Sequence, residues 1–210
     1  MKFSMILSNN LRSYEYLKLL IKNQKYPKYI IYLDYKNNNK LKKKIFSIIK
    51  KEKIKYKSFK ANNIDKIIIK KFLLNLKEKI IVYSGYAGKI VKSKNIFKQK
   101  ILLHSHSGKL PNYKGSTAIY YSLIQEKKIY CSTFVMNSNI DEGKILLIKK
   151  YPFLKNYKNL DNYDNKIRAK NIVETLDNFS FLMSRRKRFN NKFSPYYIIH
   201  PILRYIALKK

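Results

Sequence analysis

Short apolar segments alternate with amphipathic ones along the first hundred residues, and this alternation limits the fold more than any other feature of the sequence. Strand-like runs rich in β-branched and aromatic residues cover residues 2–7, 29–33, 54–59, 79–83 and 101–104. Segments with helical spacing of apolar residues lie between them, around residues 16–21, 40–50, 67–76 and 89–94. Strands that alternate with helices form parallel sheets through right-handed crossovers. The sequence therefore predicts an α/β fold with a doubly wound, mostly parallel, Rossmann-like sheet.

The rest of the chain is predicted to complete this domain rather than to add a second one. A length of 210 residues suits one domain with a substantial core. From Tyr151 onward the sequence is rich in Asn, Tyr and Lys, with helix-like stretches near residues 166–176 and 198–208. We therefore predict an α/β domain over residues 1–150 and a short helical C-terminal extension over residues 151–210, which is not an independent domain.

The net charge of +35 is typical of proteins that bind nucleic acids. However, Lys accounts for 41 of the 47 basic residues, although Arg is the better bidentate ligand for phosphate. Lys, Ile, Asn and Tyr, all encoded by A/T-rich codons, make up 110 of the 210 residues. Codon composition therefore explains most of the charge, and a basic RNA-associated protein is kept only as an alternative. The lysines would still attract an anionic substrate.

The single cysteine, Cys131, excludes a disulfide framework and a cluster of thiolate ligands. A free thiol fits a reducing compartment, so the expected location is cytoplasmic. The N-terminal apolar run ends at Leu7, and His200 and Arg204 interrupt the run near the C-terminus. Neither run is long enough to span a membrane, so no membrane partner is expected.

All five glycines lie between residues 85 and 143, which indicates demanding backbone geometry in this central segment. Most of them follow the ends of predicted strands, where open α/β sheets bind ligands. We therefore expect the functional site in this segment.

Two of the three histidines, His104 and His106, lie two residues apart at the end of a predicted strand. Side chains at this spacing point to the same face, so both imidazoles can reach one site. A structural pair of histidines is one alternative, and a metal site with Asp141 as third ligand is another. Only His200 remains as a further histidine ligand, and we expect it to be structural, so we predict no metal.

The segment that contains these histidines resembles a motif of the folate-dependent formyltransferase family. The sequence LHSHSGKLPNYKGS covers residues 103–116. In it, His106 matches the family's histidine, and Leu110-Pro111 and Gly115 match the loop that follows. Asp141, which lies 35 residues after His106, matches an aspartate in the family's Asp-x-Gly segment. The combined motif is more specific than its parts. The resemblance implies the formyltransferase fold, with a sheet of about seven strands.

The same resemblance implies a site for the co-substrate 10-formyltetrahydrofolate. The stretch at residues 83–88 resembles the loop that holds the pterin of the folate. The implied contacts of the folate are Ser84, Gly85, Tyr86, Ala87, Gly88, Asn137 and Asn139. The expected contacts of the acceptor are Ser8, Asn9, Asn10, Gly108 and Gly115. Residues 164–169 resemble an Ile-Arg-Ala segment of members that act on tRNA or sugars.

The predicted catalytic residues are His104, His106 and Asp141. Transfer of a formyl group to an amine passes through a tetrahedral oxyanion, which needs hydrogen-bond donors, and a proton must move from the amine to the leaving nitrogen. The histidines would supply hydrogen-bond donors to the oxyanion, and Asp141 would orient His106. Alternatively, Asp141 is only a turn residue before the next strand. The chain departs from the family at His104, where the family has asparagine, so we expect His104 to keep the donor role of the amide.

We therefore expect an enzyme that transfers a formyl group to a primary amine, with a nucleotide-linked amino sugar as the first choice of acceptor. The alternatives are a protein similar to methionyl-tRNA formyltransferase that lacks the C-terminal barrel, and a non-catalytic folate-binding homologue. The expected partner is a small anionic amine rather than nucleic acid. Residues 196–201 would pack in the core or at the contact of a homodimer.

Overall fold

The computed structural model describes residues 1–35, 39–153, 160–185 and 193–209. Its strands are β1 (Ser4–Ser8), β2 (Ile30–Leu33), β3 (Tyr56–Phe59), β4 (Ile80–Ser84), β5 (Ile101–His106), β6 (Ile129–Met136) and β7 (Gly143–Tyr151). Its helices are α1 (Leu11–Lys22), α2 (Asn39–Lys51), α3 (Ile67–Leu74), α4 (Lys94–Gln99), α5 (Ala118–Glu126), α6 (Leu160–Asp177), α7 (Phe179–Ser184) and α8 (Pro201–Lys209).

The strands form a seven-stranded sheet in the order β3-β2-β1-β4-β5-β6-β7. Strands β1 to β5 pair in parallel, and β7 is antiparallel to β6. The α/β fold class predicted from the alternating pattern is thereby confirmed. The chain forms two compact units, Met1–His104 and Ser105–Lys210, which we describe separately.

The first unit is organised around strands buried on both faces. Every residue of β1 and β2 is buried, which explains why β2 and the centre of β1 are continuously apolar rather than alternating. Helix α1 begins at a capping residue, Asn10, whose side-chain oxygen accepts the backbone N–H of Ser13 at 2.8 Å. The buried face of α1 carries Tyr16, Leu17 and Leu20, three and four residues apart, as the sequence pattern predicted.

The short helix expected around residues 89–94 lies instead at Lys94–Gln99. The carboxylate of Asp65 accepts the backbone N–H groups of Lys92 and Ser93, each at 3.0 Å. These two N–H groups are therefore held by a side chain from another part of the unit, and the helix begins only after them.

The second unit joins the β6–β7 hairpin to α5, α6 and α8. The hairpin carries a bulge between Thr133 and Phe134, and one apolar cluster is shared by β6 and the three helices. Its buried members are Ile119, Tyr120, Leu123, Ile129, Cys131, Leu160, Ile167, Ile199 and Ala207. In the described part of the C-terminal extension, the regular elements after β7 are helices, as expected. The domain boundary at residue 150 stays a prediction.

No helix among the described residues is long and apolar enough to cross a membrane.

Gly143, the first residue of β7, is a position where backbone geometry requires glycine. Its φ is +123°, and a Cβ there would lie 2.0 Å from the carbonyl oxygen of Val135. We expect Gly143→Ala to lower the free energy of unfolding by about 3 kcal/mol, since it adds a collision to backbone strain. Gly88→Ala is the control, because Gly88 also has a positive φ, +71°, but nothing within 4 Å of an added Cβ.

Urea unfolding of both variants measures the difference. Gly88→Ala should lose only about 1 kcal/mol, the cost of the left-handed backbone alone. Equal losses for the two variants would contradict the collision at Gly143.

Candidate active site

The candidate site in the second unit is built around His106, the last residue of β5. Its ring is 6% exposed, and both ring nitrogens have partners. Nδ1 lies 3.3 Å from Oδ2 of Asp141, and Nε2 lies 2.6 Å from the carbonyl oxygen of Tyr113. Carboxylate and carbonyl oxygens accept hydrogen bonds and do not donate them. Nε2 therefore carries a hydrogen, which it donates to Tyr113, and Nδ1 lies within ion-pair distance of the Asp141 carboxylate.

Asp141 connects His106 to the loop after β5. Its Oδ2 atom also accepts the backbone N–H of Gly115, at 2.8 Å. Asp141 has a left-handed backbone with φ +48°, in the tight connection that ends at Gly143. Its Oδ1 atom has no hydrogen-bond partner among the residues that the structure describes. The structure thus brings His106 and Asp141 together and leaves one carboxylate oxygen for a further contact.

A second ion pair links the same two loops. Nζ of Lys114 lies 2.8 Å from Oε1 of Glu142, and the Lys114 side chain is 4% exposed. The other oxygen of Glu142 accepts the side-chain amide of Asn139 at 2.7 Å, and the oxygen of the Asn137 side chain accepts the backbone N–H of Asn139 at 2.9 Å. The sequence analysis did not identify Lys114 or Glu142, because their contact joins residues 28 apart.

The glycines of the loop after β5 are required by their surroundings in the second unit. A Cβ at Gly108 would lie 2.4 Å from the carbonyl oxygen of Tyr113 and 3.0 Å from Nε2 of His106. Gly115 has φ +97°, and a Cβ there would lie 2.4 Å from the carbonyl oxygen of Tyr196. Gly108 thus leaves space for the contact between His106 and Tyr113, and Gly115 leaves space for the C-terminal segment.

The C-terminal segment pairs with this loop through its backbone. The N–H of Ser116 donates to the carbonyl oxygen of Tyr196 at 2.9 Å, and the N–H of Tyr196 donates to that of Lys114 at 2.8 Å. The ring of Tyr196 lies between those of Tyr113, at 5.9 Å, and Tyr121, at 4.3 Å. Residue 196 therefore packs within the unit, the first of the two roles expected for residues 196–201.

The predicted folate loop, residues 84–88, lies in the first unit and is fixed at its start. The side-chain oxygen of Ser84 accepts Nε of Arg12 at 3.1 Å, and Arg12 also donates to the carbonyl oxygen of Gly85. The Tyr86 hydroxyl donates to the carbonyl oxygen of Leu33 at 3.1 Å and is buried. Ala87 and Gly88 are exposed. The sequence analysis missed Arg12, which reaches this loop across more than 70 residues.

The predicted acceptor turn supports the same loop. The Ser8 hydroxyl donates to the carbonyl oxygen of Ser84 at 2.9 Å, and the side-chain amide of Asn10 donates to that of Gly85 at 3.3 Å. The backbone N–H of Asn9 donates to the Tyr86 hydroxyl at 3.3 Å. The structure therefore places the Ser8–Asn10 turn against the predicted folate loop.

His104 belongs to the first unit, where its Nδ1 lies 3.1 Å from the carbonyl oxygen of Tyr83. Since a carbonyl oxygen only accepts, Nδ1 carries the hydrogen of that bond. In the neutral ring Nε2 is then an acceptor, and it donates only in the imidazolium form. This tautomer limits the donor role expected for His104.

Two other candidates for chemistry are accounted for by their surroundings. Burial raises the pKa of the Cys131 thiol to about 12, which makes it a poor nucleophile. Nδ1 of His200 accepts the backbone N–H of Ile202 at 3.3 Å, at the start of α8. Within the described ranges, no group of three or more His, Cys, Asp or Glu side chains is arranged to hold a metal ion.

The chain is thus a doubly wound α/β protein with a buried His–Asp pair where β5 ends. The model of the formyl transferase family matches residues 6–176. The chain belongs to this family and is an enzyme, a formyltransferase, which confirms the resemblance seen in the sequence. Comparison with curated protein sequences gives no significant match.

Solved structures of formyltransferases share this fold. A sugar N-formyltransferase from Shewanella sp FDAARGOS_354 is 18% identical, with a TM-score of 0.65 over 99% of this chain and 87% of that chain. Glycinamide ribonucleotide transformylase 1 from Symbiobacterium toebii is 13% identical, with a TM-score of 0.66 over 86% of this chain and 88% of that chain. The N-formyltransferase from Helicobacter canadensis, solved with folinic acid and dTDP-3-aminofucose, is 19% identical, with a TM-score of 0.52 over 85% of this chain and 65% of that chain.

Proposed function

We propose that this formyltransferase moves the formyl group of 10-formyltetrahydrofolate to the primary amine of a nucleotide-linked amino sugar, with His104, His106 and Asp141 as its catalytic residues. The observation that carries the proposal is the contact of 3.3 Å between His106 and Asp141, in which the second oxygen of Asp141 stays available. A carboxylate held through one oxygen can receive a proton on its other oxygen without leaving its position.

The proposed chemistry uses the two residues of the pair for different tasks. The amine nitrogen attacks the formyl carbon, and the carbonyl oxygen becomes an oxyanion as the new C–N bond forms. Oδ1 of Asp141 takes the proton that the amine loses and returns it to the folate nitrogen when the old C–N bond breaks. His106 keeps Asp141 in place from the other side, since its Nε2 is bonded to Tyr113 and its Nδ1 lies 3.3 Å from Asp141.

The proposed contacts of the folate donor remain residues 84–88, Asn137 and Asn139. The loop fits such a ligand, because its first residues are fixed by Arg12 while Ala87 and Gly88 are exposed. An exposed glycine lets a flat ring approach backbone groups closely. The Helicobacter canadensis structure with folinic acid supports folate as the donor.

The choice of an amino sugar rests on the C-terminal extension. The shared fold with the Shewanella sugar N-formyltransferase covers 99% of this chain, whereas that with the glycinamide ribonucleotide enzyme covers 86%. In the described ranges, the regular elements of the extension after β7 are helices. A net charge of +35 favours an anionic acceptor such as a sugar nucleotide. Ser8, Asn9, Asn10, Gly108 and Gly115 remain the proposed acceptor contacts.

A panel of amines tests the acceptor. The protein is incubated with 10-formyltetrahydrofolate and, separately, with nucleotide-linked amino sugars, glycinamide ribonucleotide and methionyl-tRNA. We expect formylated product with an amino sugar, measured by mass spectrometry, and none with the other two. Product from glycinamide ribonucleotide or methionyl-tRNA alone would replace the proposed acceptor by that one.

Variants of the pair test the catalytic assignment. We expect His106→Ala and Asp141→Asn each to lower kcat by at least about 10²-fold, because each removes part of one proton-transfer unit. The double variant should be little worse than either single one, since residues that act as a unit are non-additive. Losses that simply multiply in the double variant would show that the two residues act independently.

His104 distinguishes a working enzyme from a non-catalytic homologue. His104→Asn restores the amide of the family and needs no imidazolium to donate, so it should retain or raise kcat. His104→Ala removes the donor and should lose about 10²-fold. Native protein that binds the folate donor, formylates no amine and becomes active only as His104→Asn would identify the chain as non-catalytic.

A further inference from the structure

The buried guanidinium of Arg168 lies where β5 ends, within the second unit. Arg168 belongs to α6 and is 9% exposed. Its Nε donates to the carbonyl oxygen of Ser105 at 2.7 Å. Its Nη1 lies 3.4 Å from the side-chain oxygen of Ser107 and 3.4 Å from Oδ2 of Asp164, one helical turn earlier in α6.

These contacts involve both sequence neighbours of His106. Ser105 precedes His106 and Ser107 follows it, and the Ser107 hydroxyl donates to Oδ1 of Asp164 at 2.5 Å. One ion pair of α6 therefore fixes the peptide before His106 and the side chain after it. The direction of a side chain at a strand end follows from the backbone that carries it, so this ion pair sets where the imidazole lies.

A contribution to stability does not by itself explain the ion pair of Arg168 and Asp164. Buried ion pairs are often no more stabilising than apolar side chains of similar volume, because both charges lose their hydration. A planar guanidinium with several donors can, however, hold a carbonyl oxygen, a hydroxyl and a carboxylate in fixed relative positions, which no apolar side chain can do. The guanidinium of Arg168 is therefore suited to fixing the positions of the groups that it contacts, rather than to filling space in the core.

We propose that Arg168 and Asp164 are positioning residues for formyl transfer, which hold the backbone around His106 so that its ring stays within hydrogen-bond distance of Asp141. The inference rests on the proposed function, because it takes the pair of His106 and Asp141 as the catalytic unit. Arg168 acts through His106 and not by contact with a substrate. Its loss therefore lowers kcat and leaves the binding of both substrates nearly unchanged.

The test compares Arg168→Met and Arg168→Lys with a control variant that breaks a different ion pair of α6. The control is Arg204→Met, which breaks an exposed ion pair of 3.1 Å with Asp161 of α6. We expect Arg168→Met to lower kcat by about 10²-fold and Arg168→Lys by about 10-fold, with both KM values within threefold of the native ones. Arg204→Met should keep the native kcat.

A spectroscopic readout follows the position of His106 directly. In the native protein the ¹⁵N signals of the His106 ring report its contact with Asp141 and its hydrogen bond to Tyr113. In Arg168→Lys these signals should shift or broaden, and those of the exposed His200 should stay unchanged. If Arg168→Met does not fold, Ser107→Ala, which removes a single hydroxyl, replaces it and should lower kcat by at least threefold.

Three results would overturn the proposal. They are native kcat in folded Arg168 variants, a change confined to KM, and unchanged ring signals of His106. Failure of the proposed function gives a different pattern, in which His106→Ala itself leaves formyl transfer intact.

Discussion

One carboxylate oxygen joins the parts of the second unit on which the candidate site depends. Oδ2 of Asp141 lies 3.3 Å from Nδ1 of the His106 ring and accepts the backbone N–H of Gly115. It thereby connects the end of β5, the loop after it and the turn before β7. Asp141 lies 26 residues beyond Gly115, so the contact joins the turn to a loop that is distant along the chain. Hydrogen bonds to a charged acceptor are stronger than neutral ones, which suits a single atom that has to organise three segments.

Acidic side chains are scarce in this chain, and several of them lie together around the end of β5. There are 12 acidic residues against 47 Lys and Arg. Three of the 12, Asp141, Glu142 and Asp164, lie around the end of β5, and each pairs there with a His, Lys or Arg. The site is therefore close to neutral inside a strongly basic protein. The excess of positive charge elsewhere on the protein attracts anionic molecules toward it.

The sequence carried enough information for the fold and for the proximity of His106 and Asp141, but not for the residues that support them. Strands buried on both faces appear as continuous apolar runs, and the spacing of His106 and Asp141 is visible in the motif. By contrast, Arg12, Lys114 and Arg168 owe their positions to contacts with residues 28 to 73 positions away. In a chain with so many cations, no local pattern separates these three from the exposed ones. The predicted start of α4 was wrong for the same reason. The observed start depends on Asp65, which lies 27 residues before Lys92.

The backbone pairing of Tyr196 with the loop at Gly115 makes this loop dependent on which residue of the C-terminal segment lies opposite it. Two tyrosines are adjacent there, Tyr196 between aromatic rings and Tyr197 87% exposed. In an extended segment, a shift by one residue exchanges the inward and outward side chains. A shift of one residue in either direction would bring Pro195 or Tyr197 to the bridge, and proline has no N–H to donate to the carbonyl oxygen of Lys114. The proline beside Tyr196 therefore disfavours one of the two neighbouring registers of this pairing.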